Sequence, residues 1–437
     1  MEEINEKIKN KHKLSHNISG RDHVRILSIN GGGVKGIVPA LILKEIEKEA
    51  GRPIQEIFDY VVGTSVGGII ATALSVPNQG TGEYAYNAST IPGFFNEAVE
   101  RVFPQYTFNF WKSIVGGVWS APYSRDGIDG FLNEKLGELR FNDTLLPISV
   151  FSYCENTQGP RFWTSFDSNN FYYLKDAAGA TSAAPTYLPA KESINITCYR
   201  ECDDLNPATH WLSKVGLDDS CNKMCTTYDI DGGIYINNPV MMGYSILASV
   251  NPHITRHDVT VVSLGTGKVK TSYDNPSLYT SKLSTLTSDV MIHEKMMEGS
   301  QLAADISAQL HFGDQYIVFN PFIEEKNKNL DDSSKQNMKE LSETTTEYLN
   351  KPEIKETIKA LVTCLKAQGE DSDSCMKVST ILNDADDINY SFSPQELNNF
   401  LVTRDFEHKA HELDDTVNNF SREMYIGGEI FSESGEL

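Results

Sequence analysis

The sequence predicts an α/β fold followed by a mostly helical C-terminal accessory region, and three observations carry that prediction. Two apolar runs, Val24 to Ile29 and Phe58 to Val62, each lead directly into a glycine turn and then into a helix-forming stretch. Further short runs, Ile148 to Cys154, Arg161 to Phe166 and Tyr228 to Ile230, read as strands interspersed with helical segments. From Ser288 onward apolar residues recur at helical spacing, interrupted by one short strand from Gln315 to Phe319.

The bulk properties set the frame. A chain of 437 residues suits one large domain plus an accessory region. Its 38 Lys+Arg against 60 Asp+Glu give a formal charge of −22. Such a surface repels phosphate backbones, so nucleic acid is not expected as a partner, and adhesion to anionic lipid would need local patches. No run of about 18 apolar residues is present, so no membrane-spanning helix is expected. The lysine-rich start, Met1 to Gly20, has no apolar signal region.

Residues 1–23 read as a solvated tail or short helix, and 24–323 as the main domain. In the latter, the first strand meets Asn30-Gly31-Gly32-Gly33-Val34-Lys35-Gly36, and a helix follows. Glycines let successive backbone N–H groups converge, and the helix N-terminus adds its dipole: an anion-binding layout. The loop lacks the G-K-[ST] ending of a phosphate loop and the acidic partner of a dinucleotide fold, so we read it as an oxyanion hole. The second unit spells Gly63-Thr64-Ser65-Val66-Gly67, a G-x-S-x-G turn that lifts a serine hydroxyl to a helix N-terminus. Lys35 would either steer anionic head groups or sit exposed at a helix start.

Asp231, followed by Gly232-Gly233 and Asn237-Asn238-Pro239, ends a short strand. A carboxylate about 2.6–3.2 Å from a serine hydroxyl can take its proton as general base. The competing layout is a triad closed by a later histidine, His253, His257, His293 or His311, none of which has a distinctive turn context.

Five blocks in order, Asn30–Gly36, Gly63–Gly67, Ala180-Thr-Ser-Ala-Ala-Pro-Thr-Tyr187, Asp231-Gly-Gly233 with Asn237-Asn-Pro239, and Val262-Ser-Leu-Gly-Thr-Gly267, resemble the patatin-like phospholipase family over roughly residues 24 to 270. The resemblance implies a three-layer α/β/α fold. It implies a dyad of Ser65 as nucleophile and Asp231 as base, with no histidine and with Gly31, Gly32 and Gly33 lining the oxyanion hole. Thr64, Val66 and Gly232 would then line the site. The activity it implies is hydrolysis of fatty-acyl esters of a phospholipid or lysophospholipid at a peripheral membrane contact, through an acyl-serine. The alternatives are an inactive or acyl-transferring relative. No cofactor or metal is required, and no carboxylate-rich Ca²⁺ loop is evident.

Three stretches stand apart. Val102 to Trp111, with Val118-Trp119, is dense in aromatics and reads as core packing or as an acyl-contacting lid. Residues 191–227 look inserted and carry Cys198-x₃-Cys202 and Cys221-x₃-Cys225. On an antiparallel helical hairpin these would pair as Cys198–Cys225 and Cys202–Cys221, with a zinc site or free thiols as competitors. Glu324 to Ser334 reads as a charged linker, and 335–437 as a helical region that either packs on the catalytic domain or binds a protein activator. Cys364 and Cys375 could bridge within it. The missing signal segment suggests a cytoplasmic chain and the paired cysteines an oxidising site, which export by a non-Sec route, as of a bacterial effector, would reconcile.

Overall fold

The computed structural model describes residues 2–18, 20–104, 123–166, 172–185, 187–195, 225–269 and 288–366. Among the described residues the α-helices in chain order are α1 (Glu2–Ser15), α2 (Ile37–Ala50), α3 (Val66–Ser75), α4 (Ile91–Val102), α5 (Asp126–Leu136), α6 (Leu174–Thr181), α7 (Val240–Val250), α8 (Ser288–Phe312), α9 (Lys335–Asn350) and α10 (Pro352–Lys366). The strands are β1 (Val24–Ile29), β2 (Tyr60–Thr64), β3 (Ile148–Cys154), β4 (Gly159–Thr164), β5 (Lys191–Asn195), β6 (Cys225–Asp231), β7 (Val259–Leu264), β8 (Lys268–Val269), β9 (Tyr316–Phe319) and β10 (Phe322–Ile323).

Eight strands form one mixed sheet in the order β5-β6-β3-β2-β1-β7-β9, with β4 also paired to β3. The β3-β2-β1-β7-β9 part is parallel, and β4, β6 and β5 pair antiparallel. Buried residues alternate strictly across it. Leu27, Ile29, Ile148, Val150, Val262 and Leu264 enter one core with α2 to α6, and Val24, Ile26, Val62, Phe151, Val259 and Val261 enter the other with α7 and α8. Helices thus cover both faces, a three-layer α/β/α fold.

Two sequence expectations are corrected and a third is narrowed. The start of the chain is a helix, the second of its two readings, and not a free tail: α1 docks through Lys7 and Lys11 to Glu83, and His12 Nδ1 bonds the Thr144 carbonyl at 2.7 Å. The stretch 324–334 is not a detached linker, because Leu330 folds back onto the glycine loop, as described below, and Asp331 accepts from the Tyr123 hydroxyl at 3.0 Å. Within 191–227, both ends are strand and not helix: β5 pairs with β6, Asn195 opposite Cys225, which rules out Cys225 as part of a helical hairpin. Its β-branched neighbours Thr226 and Thr227 favour that extended pairing. Residues 196–224, with Cys198, Cys202 and Cys221, lie outside the described residues.

Helices α9 and α10 pack against α2, and Leu341, Leu349, Ile358, Leu361 and Leu365 join the same core as the sheet. Cys364 is buried and disulfide-bonded. Cys375 and everything after Lys366 lie outside the described residues, as do the aromatics from Tyr106 to Trp119.

Candidate active site

The site is made by a meeting of strand ends. β3 carries β4 along one edge, so β2 and β6 share the other. β2 runs up that edge until Thr64 stands opposite Phe151, and β6 runs down it until Asp231 stands opposite Ser152, the next residue. The two carboxyl ends therefore converge head-on, and Ser65 and Asp231 come together although 166 positions separate them in the sequence.

Ser65 stands on the sharp turn between β2 and α3 with φ 56° and ψ −128°, a region costly for a residue with a side chain. The flanking glycines are required by contact. A Cβ on Gly63 would lie 2.3 Å from the Gly67 carbonyl oxygen, and one on Gly67 would lie 2.1 Å from that of Ile29. The G-x-S-x-G spacing is thus the condition for β1, β2 and α3 to close around the serine.

What holds the turn is a residue whose role sequence reading missed. The Ser65 N–H donates to Thr181 Oγ1 at 2.8 Å, and the Thr181 hydroxyl donates to the Phe151 carbonyl at 2.5 Å. Two residues on, the Ala183 carbonyl accepts the Asp231 N–H at 2.9 Å. The segment Thr181–Ala183 therefore grips the backbones of both Ser65 and Asp231. The Ala180–Tyr187 block was visible as a motif, but its purpose depends on contacts far apart in sequence.

Asp231 is fully buried. Its Oδ1 accepts from the Gly233 N–H at 2.8 Å, while Oδ2 has no hydrogen-bond partner among the described residues. Burial without a cation pushes its pKa up to about 7, and the nearby Ser65 hydroxyl and the Gly233 N–H restrain the rise. Ser65 thus lies close enough to favour the carboxylate but has not closed a hydrogen bond onto Oδ2, the loose geometry common in catalytic pairs without substrate. Gly232 packs tightly: a Cβ there would lie 2.5 Å from the Phe151 carbonyl oxygen.

The glycine loop lies beside Ser65, since a Cβ on Gly31 would sit 3.0 Å from Ser65 Cβ. Its three glycines are not equivalent. The Gly31 N–H donates to the Asn237 carbonyl at 3.0 Å, which removes it from the set of donors expected from the sequence. Its carbonyl accepts from Thr266 Oγ1 at 2.9 Å. Gly33, at φ 56°, faces Leu330, whose carbonyl oxygen would be 2.1 Å from a Cβ and accepts the Val34 N–H at 2.8 Å. Leu330 thus caps the loop, which explains why residues 324–334 are folded in. Neighbouring Asn238 is a structural hub, bonded to Ser28, Ser263, Asp305 and Tyr316.

Ser65 and Asp231 open onto a narrow cavity. Its other walls are almost wholly apolar, with Val66, Ile69, Phe95, Val99 and Val102 on one side and Leu188, Met297 and Leu330 among the rest. Phe103, from the aromatic stretch, also lines it. Lys35 and Thr64 do not: Lys35 sits half-buried on the turn Gly33–Gly36, and Thr64 is buried at the end of β2.

No described histidine side chain lines this cavity. His257 precedes β7 at the amino end of the sheet, and His253 is exposed nearby. His311 packs on Tyr244 and Phe312 at the far end of α8. The side chain of His293 lies outside the described ones. Among the described residues no cluster of His, Cys, Asp and Glu could hold a metal ion, and no helix is long and apolar enough to cross a membrane.

Comparison with known proteins agrees with this layout. Residues 27–244 match the family model described as patatin-like phospholipase. Patatin-like protein 2 of Arabidopsis thaliana is 30% identical over 271 residues, 56% of this chain and 60% of that protein. Patatin-like protein 1 of Oryza sativa subsp. indica is 30% identical over half of each chain. Patatin-2-Kuras 4 of Solanum tuberosum is 25% identical over 78% of this chain and 91% of its own length. The chain spans about half to three-fifths of the length of the first two.

Proposed function

The chain belongs, through residues 27–244, to the patatin-like phospholipase family, and on that premise we propose that it is a lipid acyl hydrolase working through a Ser65–Asp231 dyad. The observation that carries the reading is the pairing of a strained serine turn with a buried, cation-free carboxylate at the wall of an apolar cavity. An acyl chain of a phospholipid or lysophospholipid enters among Ile69, Phe95, Val99 and Met297, where burial of each methylene favours binding by about 0.8 kcal/mol. The ester carbonyl then stands over Ser65.

Asp231 takes the hydroxyl proton through its open Oδ2 as Ser65 Oγ attacks the carbonyl carbon. Burial holds the carboxylate near pKa 7, basic enough to accept that proton and still about half ionised at pH 7. The developing oxyanion is met by backbone N–H groups. Gly32 and Gly33 are the donors left in the glycine loop, and Val66, at the N-terminus of α3, adds its own. The leaving alcohol departs with the proton from Asp231. Water then attacks the acyl-serine with Asp231 again as base, and the fatty acid leaves.

The test is fatty-acid release from mixed phosphatidylcholine and lysophosphatidylcholine vesicles by wild type, Ser65→Ala, Asp231→Asn and His311→Ala. We expect release by wild type and His311→Ala and loss of at least ~10³-fold in the other two. Retained release in Ser65→Ala would sink the reading.

A further inference from the structure

The scheme leaves one polar side chain at the dyad without a task. Asn237 is 4% exposed, and its Oδ1 accepts no hydrogen bond among the described residues. Its orientation is fixed from the other side, where Nδ2 donates to Gln301 Oε1 at 3.0 Å and reaches the Gly31 carbonyl at 3.5 Å. Both acceptors require the amide nitrogen, so the oxygen is the atom turned toward the catalytic residues.

Two glycines mark where that oxygen lies, because a side chain on either would collide with it or crowd it. A Cβ on Gly31 would lie 2.3 Å from Asn237 Oδ1 and 3.0 Å from Ser65 Cβ. One on Gly233 would lie 3.3 Å from Asn237 Oδ1, 3.2 Å from Asp231 Oδ1 and 2.9 Å from Met297 Cε. Asn237 Oδ1 thus lies unbonded and close to both residues of the dyad, beside Ser65 Cβ on one side and Asp231 Oδ1 on the other. As an acceptor it has no proton to give an oxyanion. It suits a group with two protons, of which the base takes one.

We propose that Asn237 is a positioning residue for the second half-reaction: its Oδ1 and the Asp231 carboxylate together hold the water that hydrolyses the acyl-Ser65 ester. This rests on the Ser65–Asp231 reading and deepens it, because a held water directs the acyl group to water instead of to another alcohol. With one proton on the Asp231 carboxylate and the other on Asn237 Oδ1, the water lone pair is fixed toward the carbonyl carbon. The water oxygen bonds that carbon, and its first proton passes to Asp231. The tetrahedral intermediate collapses with cleavage of the carbon–Oγ bond, and Asp231 returns the proton to Ser65 Oγ. The second proton leaves on the fatty acid.

The experiment separates the half-reactions by stopped-flow with p-nitrophenyl butyrate, where nitrophenolate release reads acylation and steady turnover reads deacylation. Asn237→Leu keeps the volume and removes the acceptor. It should give a burst of one nitrophenolate per enzyme at the wild-type acylation rate, then turnover slowed by about 30-fold, with the acyl adduct on Ser65 seen by mass spectrometry. Gln301→Leu removes the partner that orients the Asn237 amide and should give the same split in an independently folded variant. An equal fall of burst and turnover in both folded variants would mean that Asn237 only supports the glycine loop, and unchanged turnover in either would exclude a held water. Absence of Ser65-dependent nitrophenolate release in wild type is a different result: it removes the dyad reading itself.

Discussion

The two ends of the central sheet treat a buried carboxylate in opposite ways. At the amino end Asp59 is gripped by Arg21 and by Arg25, whose Nε and Nη2 reach its two oxygens at 2.7 and 2.8 Å and whose backbone N–H adds a third bond at 2.9 Å. At the carboxyl end Asp231 has one backbone N–H and no cation. Even two residues earlier on the same strand, Asp229 is paired with Arg161 at 2.7 Å. Neutralised carboxylates tie elements together here: Asp59 links the start of β1 to β2, and Arg25 also reaches the Leu365 carbonyl on α10. The unneutralised one is the one left able to accept a proton. Under the proposed reading, what separates Asp59, an ion pair that holds the fold, from Asp231 as a base is the presence of a guanidinium, since both carboxylates are buried.

The comparison breaks most sharply on charge removal. Asp231→Asn should abolish activity, by at least ~10³-fold, and yet stabilise the protein above pH 7. The sign follows from the raised pKa. Between about pH 4 and pH 7 the native state holds a proton that the unfolded chain releases, so native stability falls as pH rises through that window. The amide escapes this penalty, with a gain on the order of 4 kcal/mol at pH 8 that vanishes near pH 4. Urea unfolding at the two pH values measures it. Asp59→Ala should do the reverse: it strands Arg21 and Arg25, costs about 3 kcal/mol, and leaves kcat per folded molecule unchanged. In the wild type, kcat/KM should rise with pH and level off above about pH 7 as Asp231 ionises, whereas a profile flat from pH 5 to 8 would remove Asp231 as the base.

How much of this was legible beforehand depended on sequence distance. Ser65, the glycine loop and the Asp231 turn were readable because each is a local unit in which backbone geometry dictates the residue type. The alternation of the strands between two cores was readable for the same reason. The one-residue register step between Thr64 and Asp231 along β3 was not, because β6 arrives about 160 residues after β2 and nothing local marks its stopping point. Leu330 was hidden in a charged stretch, and only its carbonyl and one side chain matter. Gly31 was misassigned as a donor because a glycine-rich motif does not reveal which of its N–H groups is already bonded.

Thr181 gives a smaller effect that sharpens the contrast, since its hydroxyl serves the catalytic end alone. Thr181→Val keeps the shape and loses both the bond to the Ser65 N–H and the bond to the Phe151 carbonyl. A serine held at φ 56° only by surrounding contacts should then relax. We expect kcat to fall by about 10- to 100-fold with KM nearly unchanged, and Thr181→Ser to restore most of it. The global cost should be about 1–2 kcal/mol, because two buried groups lose one partner each. Parallel losses in kcat and stability, unrescued by serine, would instead make Thr181 an ordinary core residue.

The smallest expected effect concerns Leu330, where the backbone and the side chain do separate jobs. The carbonyl accepts the Val34 N–H and abuts Gly33, while the side chain lines the acyl cavity. Leu330→Ala leaves the carbonyl in place, so the glycine loop should stay formed and the maximal rate on a short ester should barely change. The lost side chain removes apolar wall from the cavity, which weakens contact with a long acyl chain by about 1 kcal/mol, or roughly fivefold in kcat/KM. Comparing butyryl with palmitoyl esters reads that difference directly. An equal loss on both chain lengths would mean that the side chain, and not only the carbonyl, holds the loop, and would place Leu330 with Thr181 among the residues that shape the turn instead of among those that meet the substrate.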